Sequence, residues 1–183
     1  VSYDPTFAHE VAVIMQDGLR RMVQNQENVF YYITLLNENY PMPGLAEGTE
    51  EQIIKGMYLC KPGQKVPQSG NRVQLLGSGT ILRESFFAQE ILEKDWGIAA
   101  DVWSCPSFNE LTRDGQDCER HNMLHPLEAA KVPFVTSQLQ SSQGPVVAST
   151  DYMKAYAEQI RPFVPKGRTF KVLGTDGFGR SDF

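Results

Sequence analysis

The sequence predicts an α/β fold: a mostly parallel sheet flanked by helices, preceded by a helix–strand remnant of a second α/β domain. Three observations carry that expectation. From residue 71 onward, short apolar runs alternate with stretches of helical length. The runs are nearly continuous in Val, Ile, Leu, Ala and aromatic residues, as strands buried on both faces are. The turns between them are short and glycine-marked, which suits strand–helix alternation around one sheet.

The elements follow in order. Asp4-Pro5-Thr6 starts a helix, since Asp caps and Pro is preorganised for the first turn. Phe7, Val11, Ile14, Met15, Gly18 and Met22 then recur at helical spacing and form its predicted apolar face. Val29 to Leu36 is an almost unbroken β-branched and aromatic run, read as a strand buried on both faces. Residues 1–40 therefore read as the end of one domain. Residues 41–70, punctuated by Pro41, Pro43, Gly44, Gly48, Pro62, Gly63, Pro67 and Gly70, read as a linker with one apolar island from Ile53 to Leu59. Residues 71–183 read as a second α/β domain, cut short.

Within that domain Val73–Leu76 is a strand, Gly77–Thr80 a tight turn, and Ile81–Lys94 a helix stopped by Gly97. Ala99–Ser104 is the next strand, and Phe108–Met123 a helix or loop. Val132–Thr136 and Val146–Ser149 read as short strands. Thr150 and Asp151 are expected to cap a helix carrying Met153, Tyr156, Ala157 and Ile160, ending before Pro162. Phe170–Gly174 is the last strand. The strands at 73–76, 100–103, 146–148 and 170–173 are expected to share one sheet.

The composition narrows the function. The chain has 183 residues, 41% hydrophobic and 21% charged, which fits a globular core. Seventeen Lys+Arg against twenty-two Asp+Glu leave a formal charge of −5, the wrong balance for nucleic acid. No apolar run approaches a membrane span, so neither nucleic acid nor membrane is expected as a partner. Three widely spaced cysteines point to free thiols in a reducing, cytoplasmic compartment. Val1 in place of Met, and a polar loop at the other end, predict that both ends are interior points of a longer polypeptide.

Several motifs invite chemistry. Gly77-Ser78-Gly79 sits where a phosphate would meet a helix N-terminus, yet Leu82 stands where a dinucleotide fingerprint needs glycine. Asp101 is the only acid near the ribose position, and a plain βα turn is the better reading. Cys118, His121 and His125 have metal-like spacing. Pro126 biases His125 towards extended backbone, which argues against a helical i, i+4 pair, and no metal is expected there. Cys105 and Cys60 have no histidine nearby in sequence to activate them. The Gly174–Asp182 loop follows a buried strand and carries Asp176, Arg180 and Asp182. It is either a structural loop with an internal Arg–Asp pair or a site for an anionic ligand or peptide on a stand-alone binding module. Its Asp-Gly lacks the downstream Asn pair of a thiamine-diphosphate metal motif.

Seven stretches together resemble one family: Val1–Ala8, Asn37–Tyr40, Gln74–Gly79, Asp114–Arg120, Asn122–Pro126, Ala148–Lys154 and Leu173–Asp182. They are similar to the C-terminal portion of bacterial homodimeric pyruvate dehydrogenases, the thiamine-dependent decarboxylating component of the pyruvate dehydrogenase complex, in the transketolase superfamily. The resemblance runs through the chain in order, departing at Pro41, where some members have His, and in a longer Cys60–Asn71 stretch. It implies an oxidoreductase subunit of three α/β domains that converts pyruvate to CO₂ and passes the acetyl group to a lipoyl domain on the acyltransferase core. It further implies a second copy of the same subunit as partner. Thiamine diphosphate and Mg²⁺ belong to the parent enzyme, their ligands upstream. No catalytic, cofactor-binding or metal-binding residue is therefore assigned in this chain. Glu38 is the only candidate for the glutamate that activates the cofactor's pyrimidine. The chain alone is expected neither to bind thiamine diphosphate nor to decarboxylate pyruvate.

Overall fold

A computed structural model of the chain describes residues 1–64 and 71–177. Its centre is a five-stranded sheet of β3 (Tyr58–Lys61), β4 (Arg72–Gly77), β5 (Ala99–Ser104), β6 (Val146–Met153) and β7 (Phe170–Thr175). The spatial order is β3-β5-β4-β6-β7, parallel throughout except for β3, which runs antiparallel at one edge. The four strands expected to share a sheet do so. Leu76 pairs with Trp103 on one side and Ala148 on the other, and Ala148 pairs with Val172.

Both faces are covered, as the continuous apolar runs require. Leu76, Trp103, Val146, Ala148 and Val172 pack on Phe108 and Leu111 of α4 (Phe108–Leu124) and Val135 and Leu139 of α5 (Phe134–Gln140). The opposite face, Val73, Leu75, Ala100 and Val102, packs on Leu82 of α3 (Ile81–Trp96) and on Phe7. Helix α3 stops where predicted, at Gly97, whose φ of 62° places it in the left-handed conformation that ends helices. Helix α4 is capped by the Ser107 hydroxyl, which accepts the Glu110 N–H at 3.0 Å.

A smaller parallel pair, β1 (Ser2–Tyr3) with β2 (Tyr32–Ile33), lies beside α1 (Ala8–Leu19) and α2 (Glu50–Lys55). Four expectations are corrected here. The Val29–Leu36 run is not a strand buried on both faces. Only Tyr32–Ile33 pair, and Phe30, Tyr32 and Leu35 are 76%, 63% and 69% exposed, because β1 is the sole strand beside β2 among the described residues. The inward face of α1 keeps Phe7, Ile14 and Gly18 but takes Glu10, Val13 and Asp17, while Met15 and Met22 face outward. Past α1 the helix widens into a π-turn over Arg20–Gln24.

The Val132–Thr136 run is no strand. Pro133 leads into α5, because the Asp114 carboxylate on α4 accepts the Phe134 N–H at 2.5 Å and satisfies a helix-end donor. Val135 and Leu139, four apart, then both turn inward. Nor do Thr150 and Asp151 cap a helix. Strand β6 runs on to Met153, which pairs with Thr175 beyond a register shift, and the Lys154 N–H still bonds the Thr175 carbonyl at 3.1 Å. The helix that follows, α6 (Ala155–Glu158), is one turn long and passes into a 3₁₀ turn at Arg161–Phe163.

The 41–70 stretch contains α2 and the edge strand β3. Among the described residues no helix is long and apolar enough to cross a membrane.

Candidate functional site

Open parallel sheets bind ligands outside the carboxyl ends of their strands, where the strand order reverses. Here that point is the end of β4, which has β5 on one side and β6 on the other. The Gly77–Gly79 turn lies there, and the chain's own Asp4-Pro5-Thr6 segment fills it. The Gly79 N–H donates to the Asp4 carbonyl at 3.0 Å, and the Thr6 hydroxyl donates to the Gly79 carbonyl at 2.7 Å. The Asp4 N–H in turn donates to the Pro106 carbonyl beyond β5 at 2.7 Å.

The Asp4 side chain occupies the same point. A Cβ on Gly79 would lie 2.6 Å from an Asp4 carboxylate oxygen, and Gly79 has a φ of 51°. Burial pushes the Asp4 carboxyl above its usual range, against a 2.6 Å hydrogen bond donated by the Thr34 hydroxyl. A carboxylate where phosphate oxygens would sit, with the turn's Gly79 N–H already bonded, does not fit a diphosphate. Beside it opens a groove of about 510 Å³ walled by Tyr32, Tyr152, Met153 and Tyr156.

The second junction is Glu10, fully buried on α1. Its Oε2 accepts the Thr6 N–H at 2.5 Å and the Phe7 N–H at 2.9 Å. Its Oε1 accepts the Tyr58 hydroxyl of β3 at 2.8 Å and the Ser104 hydroxyl of β5 at 2.5 Å. One carboxylate thus satisfies the start of α1 and ties it to two strands of the large sheet. Phe7, which opens the helix, has no hydroxyl to complete a capping box with Glu10, so the sequence did not mark this glutamate. Nor could it show partners 48 and 94 residues away.

The other candidates read from the sequence lie apart from this junction. Asp101 lies mid-strand, where burial would raise its carboxyl; Arg72 at 2.5 Å, the Gly63 N–H and Gln74 outweigh this and hold it below its ordinary value. It cannot serve the turn at the strand ends. His121 and His125 do meet, contrary to expectation: their rings are 4.6 Å apart, and the His125 N–H keeps its helical bond to the His121 carbonyl. Pro126 restrains the backbone of His125 without turning its ring away. Both rings reach Glu128, at 3.4 and 3.1 Å, while Cys118 is buried. Among the described residues no group of three or more His, Cys, Asp or Glu is placed to hold a metal ion.

Burial pushes the Cys60 thiol up to about 11 and the Cys105 thiol well above its usual range, the opposite of an activated nucleophile. Glu38 is exposed and paired with Arg83 at 2.5 Å, the guanidinium of which lies 4.5 Å over the Tyr40 ring. Of the Gly174–Asp182 loop, Gly174 and Thr175 belong to β7 and Asp176 pairs with Lys154. Phe178 to Asp182, including Arg180, lie outside the described residues.

Comparison with known proteins now decides the family. Residues 56–183 match the transketolase-like TK C-terminal domain model, and residues 1–43 match the pyruvate dehydrogenase E1 component middle domain. The chain belongs to the transketolase-like C-terminal domain family. Pyruvate dehydrogenase E1 components are similar along its whole length. The Cupriavidus necator protein is 58% identical over 100% of the chain, and those of Pseudomonas aeruginosa and Escherichia coli are 58% identical over 99% and 100%. The chain spans about 20% of each relative. The resemblance read from the sequence, to the C-terminal portion of these enzymes, stands on these matches. Among solved structures, two Pichia stipitis transketolases, one the H261F mutant and one a sugar-phosphate complex, share the fold. Each has a TM-score of 0.56 at 16% identity, covering 97% of this chain and 21% of the transketolase.

Proposed function

We propose that this chain is the non-catalytic buttress of a pyruvate-decarboxylating E1 enzyme. Residues 1–40 close its middle domain, and the five-stranded sheet with its helices is its C-terminal domain. The observation that carries this reading is the filled switch point: Asp4-Pro5-Thr6 and the bonds around Glu10 use the strand ends for joining the two parts of the chain. Where an α/β domain usually receives a ligand, this one receives its neighbour. The residues present do not fit thiamine diphosphate with Mg²⁺, which in the longer enzyme would be held by residues outside this chain. Glu38, exposed and paired with Arg83, is no poised pyrimidine partner.

The activity proposed for the parent is decarboxylation of pyruvate to CO₂ with reductive acetylation of a lipoyl domain. Its proposed setting is a cytoplasmic homodimer bound to the acyltransferase core and feeding on the product of glycolysis. The 58% identity to enzymes named pyruvate dehydrogenase E1 component supports it. The test is CO₂ release from pyruvate and acetyl transfer to a purified lipoyl domain, with thiamine diphosphate and Mg²⁺ supplied. The full-length protein turns over under this reading. A full-length protein inert towards pyruvate would overturn it.

A further inference from the structure

The groove beside the filled turn has walls and charges suited to a positive group. It opens at the carboxyl ends of β1, β2 and β6, between the two parts of the chain. Pockets in α/β proteins collect at such strand ends and domain junctions.

Its walls are mainly phenol rings. Tyr152 and Tyr156 stand with centroids 5.2 Å apart and planes at 73°, so the two rings form adjoining sides of a corner. Tyr32, exposed on β2, lines the same groove. Aromatic rings set at an angle offer electron-rich faces to one guest, the arrangement that holds alkylammonium groups.

The charges around the corner select the sign of that guest. Among the described residues lining the groove there is no lysine or arginine. Asp4 and Asp151 both lie within electrostatic reach of the Tyr152 phenol, and Asp4 also of Tyr156. Neither carboxyl has an ion-pair partner among the described residues, and Lys154 is held by Asp176. Burial acts against a charge on Asp4, and a cation in the groove would act in its favour.

We propose that this groove binds a small organic cation of the alkylammonium class, its charge against the Tyr152–Tyr156 corner and beside Asp4.

Choline and its uncharged carbon isostere, dimethylbutanol, have the same shape and differ in charge. Saturation-transfer difference NMR on the full-length protein gives a dissociation constant for each. Choline is expected to bind saturably and at least about fivefold more tightly than the alcohol. Tyr152→Leu removes a ring that is 41% exposed, and Asp4→Asn removes the charge while keeping the shape. Each is expected to weaken choline at least about threefold. Equal affinities for choline and the alcohol overturn the proposal, and so does the absence of saturable choline binding. A folded variant of either kind with wild-type choline affinity overturns it as well. Where neither variant folds, the two wild-type affinities decide alone.

Discussion

A side chain at residue 79 and the carboxylate of Asp4 cannot share the end of β4: a Cβ there would stand 2.6 Å from the Asp4 oxygen. The left-handed φ of 51° at Gly79 adds strain for any other residue. Gly79→Ala is therefore expected to cost about 1–3 kcal/mol of stability. Asp4→Ala in the same chain should return part of that loss, since it removes the clash but not the backbone strain. Urea unfolding of the two single variants and the double variant checks this. Strictly additive losses would mean the two residues do not compete.

The Asp101–Arg72 pair gives an acid dependence of known sign. Asp101 is held below its ordinary value in the folded protein, so its contribution is complete above the unfolded value of about 3.9. It fades as pH falls from there through the folded value. Arg72→Ala is expected to cost about 1–3 kcal/mol at pH 7, with the gap to wild type closing below about pH 4. Denaturant midpoints for both proteins across pH 3–7 measure it. A gap that widens in acid would reverse the assignment.

Helix α5 is the element the sequence disguised most. Phe134, Val135 and Thr136 favour strands, but the Asp114 carboxylate at the Phe134 N–H and the inward pair Val135 and Leu139 settle the helix. Leu139 is fully buried against the sheet. Leu139→Ala should cost about 2–5 kcal/mol, read by thermal or denaturant unfolding. A loss under about 1 kcal/mol would show that this helix does not belong to the core.

The contrast with the legible elements is physical. Strands β4 and β5 are central and covered on both faces, so their runs are largely apolar and announce themselves. Edge strand β7 shows itself by alternation, with Phe170 and Val172 inward and Lys171 and Leu173 outward. The Gly97 stop and the Ser107 cap are local signals. Strand β3 has four residues, too few for a periodicity to read. Strand β6 was legible at Val146–Ser149 but not in its prolongation to Met153, which rests on pairing with Thr175. The junction was hidden because Asp4 meets Gly79, and Glu10 meets Ser104, only after the chain has folded across the whole sheet. A pattern in one short window cannot hold a contact 94 residues long.

The thiols should be slow. With Cys60 pushed up to about 11 from an ordinary 9.0, its thiolate is about a hundredfold scarcer at pH 8. Iodoacetamide labelling of the folded protein, followed by mass spectrometry, should find Cys60 at least about tenfold slower than in the unfolded chain. Equal rates would show a thiol free of its apolar surroundings.

On the function proposed above, this chain uses its strand ends to join its own two parts and leaves the cofactor to residues outside it. Calorimetric titration of the purified chain with thiamine diphosphate and Mg²⁺ tests it most directly, at concentrations that reveal micromolar affinity. No saturable heat is expected. Saturable micromolar binding, abolished by Glu38→Gln, would contradict it by placing the cofactor site here.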